Sequence, residues 1–278
     1  MHIGITGANG FVGRQVLHHL LKENHSLRVI IRGGNQSAFE PNIKVIETRD
    51  LFNESLERLQ DMLIGVEKLI HLAWYAKPGK YLTSTLNLDC LTGTLRLAEA
   101  FANVGGKRFI GIGTCFEYDL NQRILTVNTP LNPKTLYAAC KASTFQVLNQ
   151  LLPSLNVEFA WCRLFYLYGE GEDPRRLVSY LRQKLSNGEV AQLSSGKQIR
   201  DFLDVKVAGK QIVEVAFSDV QGAVNICSGI PITVRQLAEQ IADEYGRRDL
   251  LQFGTRPDNL VDPPCVVGLP WQNGYNEN

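Results

Sequence analysis

The chain has 278 residues, with 29 Lys and Arg against 28 Asp and Glu, a formal net charge of +1 and acids and bases mixed along its length. That balance leaves no electrostatic footprint for nucleic acid or an anionic membrane, so any anion site must come from placed residues. No apolar run approaches the roughly 18 residues of a membrane span, and no basic stretch precedes an apolar one at the N-terminus, so neither a span nor a signal peptide is expected.

The length suits one large α/β domain, or a nucleotide domain interleaved with a smaller lobe, and the second arrangement is expected. The apolar run His2-Ile-Gly-Ile-Thr6 leads into Gly7-Ala-Asn-Gly-Phe-Val-Gly13 and then into the periodic set Phe11, Val12, Val16, Leu17, Leu20 and Leu21. This reads as strand, tight glycine turn and helix. Gly7 permits the turn, Gly10 lets the backbone approach a pyrophosphate, and Gly13 lets the helix lie on the sheet. The anion would face the free N–H groups at the start of the helix.

A second strand, Ser26–Ile31, ends at Arg32-Gly33-Gly34. An acid at this distance from the glycines accepts from a ribose 2′-OH, whereas an arginine suits a 2′-phosphate. Arg32 therefore points to NADP(H) ahead of NAD(H), unless it is simply a solvated strand end. Lys44–Glu47 is a short third strand, and Asp50-Leu51 closes it where an adenine contact is expected. Residues 54–63 are helical by period. Lys68–Ala73 is an apolar strand suited to the centre of a parallel sheet, and His71 within it is expected to be a packed core histidine. Leu72, Ala73 and Trp74 stand at its C-terminal end, where ligands bind in open α/β sheets.

A long helix carries Asn87, Leu88, Leu91, Leu95, Ala98 and Phe101 and stops at Gly105-Gly106. Arg108–Gly113 is the next strand and ends at Thr114. Pro133 and Thr135 precede a helix that begins near Tyr137, and Val157–Leu164 is the sixth strand. Beyond residue 165 the alternation breaks. Helices are expected over 177–185 and 234–245 and short extended pieces at 191–193 and 223–227, with no convincing element after Gly254. The alternation of the first part implies a doubly wound parallel sheet.

Thr114, Tyr137 and Lys141 are the residues with chemistry to offer. Tyr137 and Lys141 lie one helical turn apart on one face, so the ammonium is expected near the phenol. Bringing a free tyrosine, of pKa about 10, to neutrality takes roughly 4 kcal/mol of differential stabilisation of its phenolate. Lys141 and an oxidised nicotinamide are the charges expected to supply it. Chance alone gives about 0.4 Tyr-x-x-x-Lys matches in such a chain, and this one has two, Tyr137–Lys141 and Tyr180–Lys184. Position separates them: Tyr137 follows a strand ending in Thr, whereas Tyr180 is expected on a surface helix. The six cysteines form no Cys-x-x-Cys pair, which suits a reducing, cytoplasmic compartment. The five histidines lack metal-ligand spacing, so no metal site is expected.

Taken as a set, Gly7-x-x-Gly10-x-x-Gly13, His71-Leu-Ala73, Asn87, Thr114, Tyr137-x-x-x-Lys141, Arg163 with Tyr168-Gly169, and Arg200-Asp-Phe-Leu203 resemble the extended short-chain dehydrogenase/reductase family of nucleotide-sugar epimerases and dehydratases. Within it, residues 74–79, 113–119 and 135–141 look most similar to the dTDP-6-deoxyhexose 4-dehydrogenases, that is, 4-ketoreductases. The resemblance covers nearly the whole chain. It implies a Rossmann domain over 1–165, to which 205–228 returns, and a smaller α/β substrate lobe over 166–204 and 229–278 that grips a nucleoside-diphosphate sugar. The dinucleotide would touch Gly7, Gly10, Phe11, Val12, Gly13, Arg32, Asp50, Leu51, Leu72, Ala73, Trp74, Tyr137 and Lys141. Trp74, Cys115, Phe116, Tyr166 and Arg200 would line the sugar side. A homodimer through the Asn87 and Tyr137 helices is compatible, as family members often form one.

Departures from the family pattern narrow the chemistry. Sugar 4,6-dehydratases place Asp-Glu directly after the catalytic Thr, where this chain has Cys115 and Phe116. The epimerase-reductases that make GDP-fucose carry a cysteine two residues after their catalytic serine, and here that residue is Phe116. Tyr166 stands in place of a usual Asn, the Arg200–Lys206 segment is a residue short, and the tail after Pro263 lacks the closing helices. The resemblance thus implies a nucleotide-deoxysugar 4-ketoreductase, with a 4-epimerase of the same fold and a non-catalytic dinucleotide-binding protein as the alternatives.

Overall fold

Strand and helix alternate through most of the first part of the chain because the short apolar runs there, Ser26–Arg32 excepted, are followed by a segment with one apolar face. The computed structural model describes residues 1–33, 39–41, 43–258 and 263–271; Gly34 and the end of the tail, 272–278, lie outside them. In chain order the first part comprises β1 (His2–Thr6), α1 (Phe11–Leu20), β2 (Ser26–Arg32), β3 (Lys44–Thr48), α2 (Leu56–Leu63), β4 (Lys68–His71), α3 (Leu86–Asn103), β5 (Arg108–Thr114), α4 (Leu136–Ser154) and β6 (Glu158–Leu164). The rest comprises β7 (Tyr166–Tyr168), α5 (Leu177–Ser186), β8 (Ala191–Gln192), β9 (Ile199–Asp204), α6 (Val205–Phe217), β10 (Gly222–Ile226), β11 (Pro231–Thr233), α7 (Val234–Glu244), β12 (Leu251–Gln252) and β13 (Cys265–Val266).

The main sheet is parallel throughout, in the order β10-β6-β5-β4-β1-β2-β3. Its central strands are buried on both faces, and successive residues feed opposite cores, as a period of two requires. Val29, Ile31, Ile70, Ile110, Ala160 and Cys162 join α1 and α6 on one side. Ile30, Leu69, Phe109, Phe159 and Trp161 join α2, α3 and α4 on the other. Between β1 and β4 the chain order reverses, and the C-terminal ends of these strands, Thr6 and His71, lie side by side. That switch point is where an open α/β sheet takes its ligand.

The second half breaks the regular alternation, as expected beyond residue 165. Its strands are short and partly antiparallel: β11, β9 and β13 form a small sheet with β7 added on β9, and β12 pairs with β8. Val266 packs in a buried cluster, so the tail contributes an element after Gly254 where none was expected. Asp204 ends β9 and at once caps α6, its carboxylate accepting from the Lys206 N–H at 2.7 Å. This abrupt strand-to-helix change hides both elements from a periodicity reading. β10 then pairs with β6 in the main sheet. Arg108 clamps the returning segment, donating to the carbonyls of Val215 and Val220 and to Glu158 from a buried position. No helix of the described residues is long and apolar enough to cross a membrane.

Candidate active site

The glycine turn after β1 is shaped by contacts that no side chain could share. Gly7 holds φ at +73°, and a Cβ there would lie 2.7 Å from the Ala73 nitrogen, so the turn is pressed against Leu72 and Ala73 at the end of β4. A Cβ on Gly13 would fall 2.1 Å from the Gly7 carbonyl oxygen, so α1 rests directly on the turn. Gly10 caps α1 without a side-chain hydrogen bond, and the first turn carries no acid. Phe11 and Val12 pack toward the core and leave their backbone N–H groups at the helix start. A bare backbone cradle at a positive helix end fits the pyrophosphate of a dinucleotide.

Arg32 ends β2 exposed, with no hydrogen-bond or ion-pair partner among the described residues. Asp50 caps a short 3₁₀ turn, accepting from Phe52 N–H at 3.2 Å and Asn53 Nδ2 at 2.7 Å, while Leu51 is buried in the core. His71 is a core histidine: Thr6 Oγ1 lies 2.7 Å from Nδ1 and Thr94 Oγ1 2.9 Å from Nε2. Burial first, and the charge of Lys141 second, push it down to about 3, so the ring is neutral. Thr6 also accepts the Ala73 N–H at 3.2 Å, tying the switch point together.

The chemical corner forms where β5 meets α4. Thr135 caps α4 through the Ala138 N–H, and the Tyr137 N–H donates to the Leu82 carbonyl at 3.1 Å. Tyr137 meets Tyr81 edge to face at 4.8 Å. The Tyr137 pKa is well above the ordinary tyrosine value, chiefly through burial, with Tyr81 and Glu117 adding to it and a hydrogen bond with Thr114 opposing it. The structure thus brings Thr114 and Tyr137 together.

Lys141 is placed differently from expectation. Its ammonium donates to the Ile112 carbonyl at 2.6 Å and sits 3.7 Å from the centre of the Trp74 ring, rather than acting as the dominant charge on the phenol. Burial pushes Lys141 down to about 7, and Glu117 is the first influence holding it up. A desolvated ammonium takes the nearest carbonyl and aromatic face, which a phenol in the neutral state cannot outbid. Trp74 is in turn pinned by its indole N–H to Asn87 Oδ1 at 2.8 Å.

Of the residues expected to line the sugar, Phe116 meets Tyr166 edge to face at 6.1 Å, and the Arg200 guanidinium lies 5.2 Å from the Tyr166 ring. Cys115 lies in the buried cluster against which Phe116 and Tyr166 pack. It is buried among Tyr118, Leu125, Phe165, Cys227 and Val266, and burial pushes its thiol up to about 12, so it is a packing residue. Arg200 is also largely buried. Two further residues escaped the sequence reading. Glu117 is fully buried against Arg163, and Asp201 accepts from Ser228, Gly229 and Gly268. Thr114-x-x-Glu117 is a capping-box spacing, and it could have flagged Glu117. Among the described residues no group of three His, Cys, Asp or Glu side chains could hold a metal ion.

Residues 3–227 match the model of the NAD dependent epimerase/dehydratase family. The chain belongs to this family. Among curated proteins it is 28% identical over 272 residues to a dTDP-6-deoxy-L-talose 4-dehydrogenase (NAD(+)) of Aggregatibacter actinomycetemcomitans, covering 96% of this chain and 99% of that one. Two solved structures share the epimerase/dehydratase fold. The UDP-N-acetylglucosamine 4-epimerase of Methanobrevibacter ruminantium, in complex with UDP-N-acetylmuramic acid, superposes with TM-score 0.86 at 23% identity, covering 97% of this chain and 89% of that one. The Thermus thermophilus UDP-glucose 4-epimerase, in complex with NAD, gives 0.82 at 21%, covering 97% and 91%.

Proposed function

We propose that this epimerase/dehydratase-family chain is an NADP(H)-preferring 4-ketoreductase of a nucleotide-linked deoxysugar. The observation that carries the reading is the corner itself. Thr114 and Tyr137 stand together, the two residues after Thr114 bear no carboxylate, and Glu117 is locked behind them in an ion pair. Dehydration needs a further acid–base pair beside the sugar, and Cys115 and Phe116, the two residues after Thr114, supply neither.

The dinucleotide, when bound, supplies the redox chemistry at C4 of the sugar. Tyr137, held neutral by its surroundings, is in the protonation state that can donate to the C4 alkoxide. Thr114 fixes the same oxygen by hydrogen bond, and Lys141 serves the ribose and recharges the phenol. Arg32, exposed and unpaired among the described residues, is the group available to a 2′-phosphate. In this choice the chain would part from its Aggregatibacter relative, whose name specifies NAD(+). We assign the dinucleotide to 1–165 with 205–228, and the sugar to 166–204 with 229–278. Leu88 on α3 and Val147 on α4 are exposed and suit pairing of two copies through these helices.

The two solved structures described above are named as epimerases, and Thr114, Tyr137 and Lys141 would serve a 4-epimerase equally. The fate of the reduced cofactor separates the two. With a 4-keto-6-deoxy nucleotide sugar, loss of NADPH absorbance is expected to be stoichiometric with product, and Tyr137→Phe should lower kcat by about 10²–10⁴-fold with dinucleotide affinity little changed. Interconversion of two sugars at constant absorbance would establish the epimerase. Tight dinucleotide binding with no turnover of any sugar would leave a binding protein.

A further inference from the structure

Glu117 is a carboxylate with no solvent-exposed surface, directly behind the reacting corner. Oε1 accepts the Thr114 backbone N–H at 2.8 Å and the Trp161 indole N–H at 3.0 Å, and Oε2 accepts Arg163 Nε at 2.8 Å. Arg163 is itself wedged between the rings of Tyr118 at 4.4 Å and Phe145 at 4.6 Å. β5 makes room for this arrangement: a Cβ on Gly113 would lie 2.2 Å from Trp161 Nε1 and 2.4 Å from Glu117 Oε1.

We propose that Glu117 is a positioning residue for the reaction at Tyr137, fixing Thr114 through its backbone N–H and placing a carboxylate near Lys141. This rests on the reading of Thr114, Tyr137 and Lys141 as the reacting corner. Stability alone is a poor reason for the arrangement, because well-packed apolar residues of similar volume often serve as well as a buried ion pair or better. The chain instead keeps a charge there and holds it with donors on both oxygens. Thr114 gains a second restraint, since its own hydroxyl accepts the Phe116 N–H at 3.3 Å and closes a reciprocal cap over the turn Cys115–Glu117.

The surroundings of Lys141 show why the charge matters. From β4 it is faced by His71, from α3 by Cys90, from the turn after β5 by Glu117, and by the rings of Trp74 and Trp161. His71 is pushed down to about 3 and Cys90 up to about 11, both by burial, so neither is charged at neutral pH. Glu117 is therefore the anion that opposes the desolvation of Lys141.

The test uses the full-length protein in two variants with opposite defects. Glu117→Gln keeps an oxygen for the Thr114 N–H and loses the charge, whereas Glu117→Asp keeps the charge and loses the reach. Lys141 is titrated by NMR of protein labelled at lysine Cε, its signal identified by loss in Lys141→Met. The Lys141 midpoint should fall by about one pH unit in Glu117→Gln and stay close to wild type in Glu117→Asp. Glu117→Asp should lower kcat roughly tenfold to a hundredfold at unchanged KM, as expected for a misplaced hydroxyl. An unmoved midpoint in Glu117→Gln, or full kcat in Glu117→Asp, overturns the proposal. If Glu117→Gln does not fold, the Glu117→Asp arm decides alone. The titration needs no sugar, so failure to find a substrate would count against the proposed function and not against this role.

Discussion

The glycine turn and the Tyr137 corner sit at neighbouring strand ends yet are built from different materials. The turn is backbone: its shape comes from positions where a Cβ cannot fit, and its fitness for an anion comes from a helix start with no side-chain cap and no acid in the first turn. The corner is side chains, and its chemistry comes from how far burial moves each group and which charge stands behind it. A backbone site tolerates no added atom and is indifferent to distant charges. A side-chain site tolerates modest changes of shape and is sensitive to every buried charge around it.

Gly13→Ala is the sharpest way to break the first kind of site. Its new methyl would lie 2.1 Å from the Gly7 carbonyl and 2.8 Å from the Ala8 Cα, both backbone atoms with little freedom to yield. Displacing the turn by such overpacking costs about 3 kcal/mol, so dinucleotide affinity measured by calorimetry should fall roughly a hundredfold. Gly10→Ala, whose methyl meets the Gly7 carbonyl at 3.2 Å, should cost much less. Equal losses for the two would show that packing against the turn is not what shapes it.

How much of each region could be read in advance follows the same division. Strand, glycine turn and helix leave a local signature, and the apolar runs of β1, β2, β4 and β5 are distinct because those strands are covered on both faces. The pairing of Thr114 with Tyr137 was also legible, from a strand end and a helix start. The resting place of Lys141 was not, because the Ile112 carbonyl and the Trp74 ring that hold it belong to other elements. Glu117 was missed for a related reason: its partners Trp161 and Arg163 stand on β6, more than forty residues on. In the second half, Asp204 ends one element and starts another, so neither β9 nor α6 presents a clean period, although Val205, Ala208, Ile212 and Val215 do share one buried helix face.

Arg32 tests whether charge alone can tune the backbone site. It is exposed at the end of β2, so its attraction for a 2′-phosphate is weakened by solvent and salt. The expected preference for NADPH over NADH is therefore modest, about tenfold, and Arg32→Asp should invert it by placing a like charge against the phosphate. The preference should shrink as ionic strength rises. Identical affinities of wild type and variant for both dinucleotides would make Arg32 a solvated strand end and return the choice to NAD(H).

The smallest effect is expected at the second Tyr-x-x-x-Lys pair, which has the spacing of the corner without its surroundings. Tyr180 lies on α5, where its hydroxyl accepts from the Gln192 N–H at 3.1 Å and from Arg256 at 3.2 Å, so it stitches β8 and the tail to the helix. Lys184 is committed to Glu189 at 2.5 Å and is raised above the ordinary lysine value by it, the opposite of the shift at Lys141. Among the described residues, no hydroxyl at a strand end is hydrogen-bonded to Tyr180. Tyr180→Phe removes hydrogen bonds near the surface, worth about 1 kcal/mol to stability, and should lower the melting temperature by a few degrees at most. Turnover and dinucleotide affinity should stay within twofold of wild type, roughly the ±0.5 kcal/mol scatter of substitutions away from a site. A loss of kcat approaching that of Tyr137→Phe, in protein that binds dinucleotide normally, would mean that spacing alone carries the chemistry and that the buried charge behind Lys141 does not.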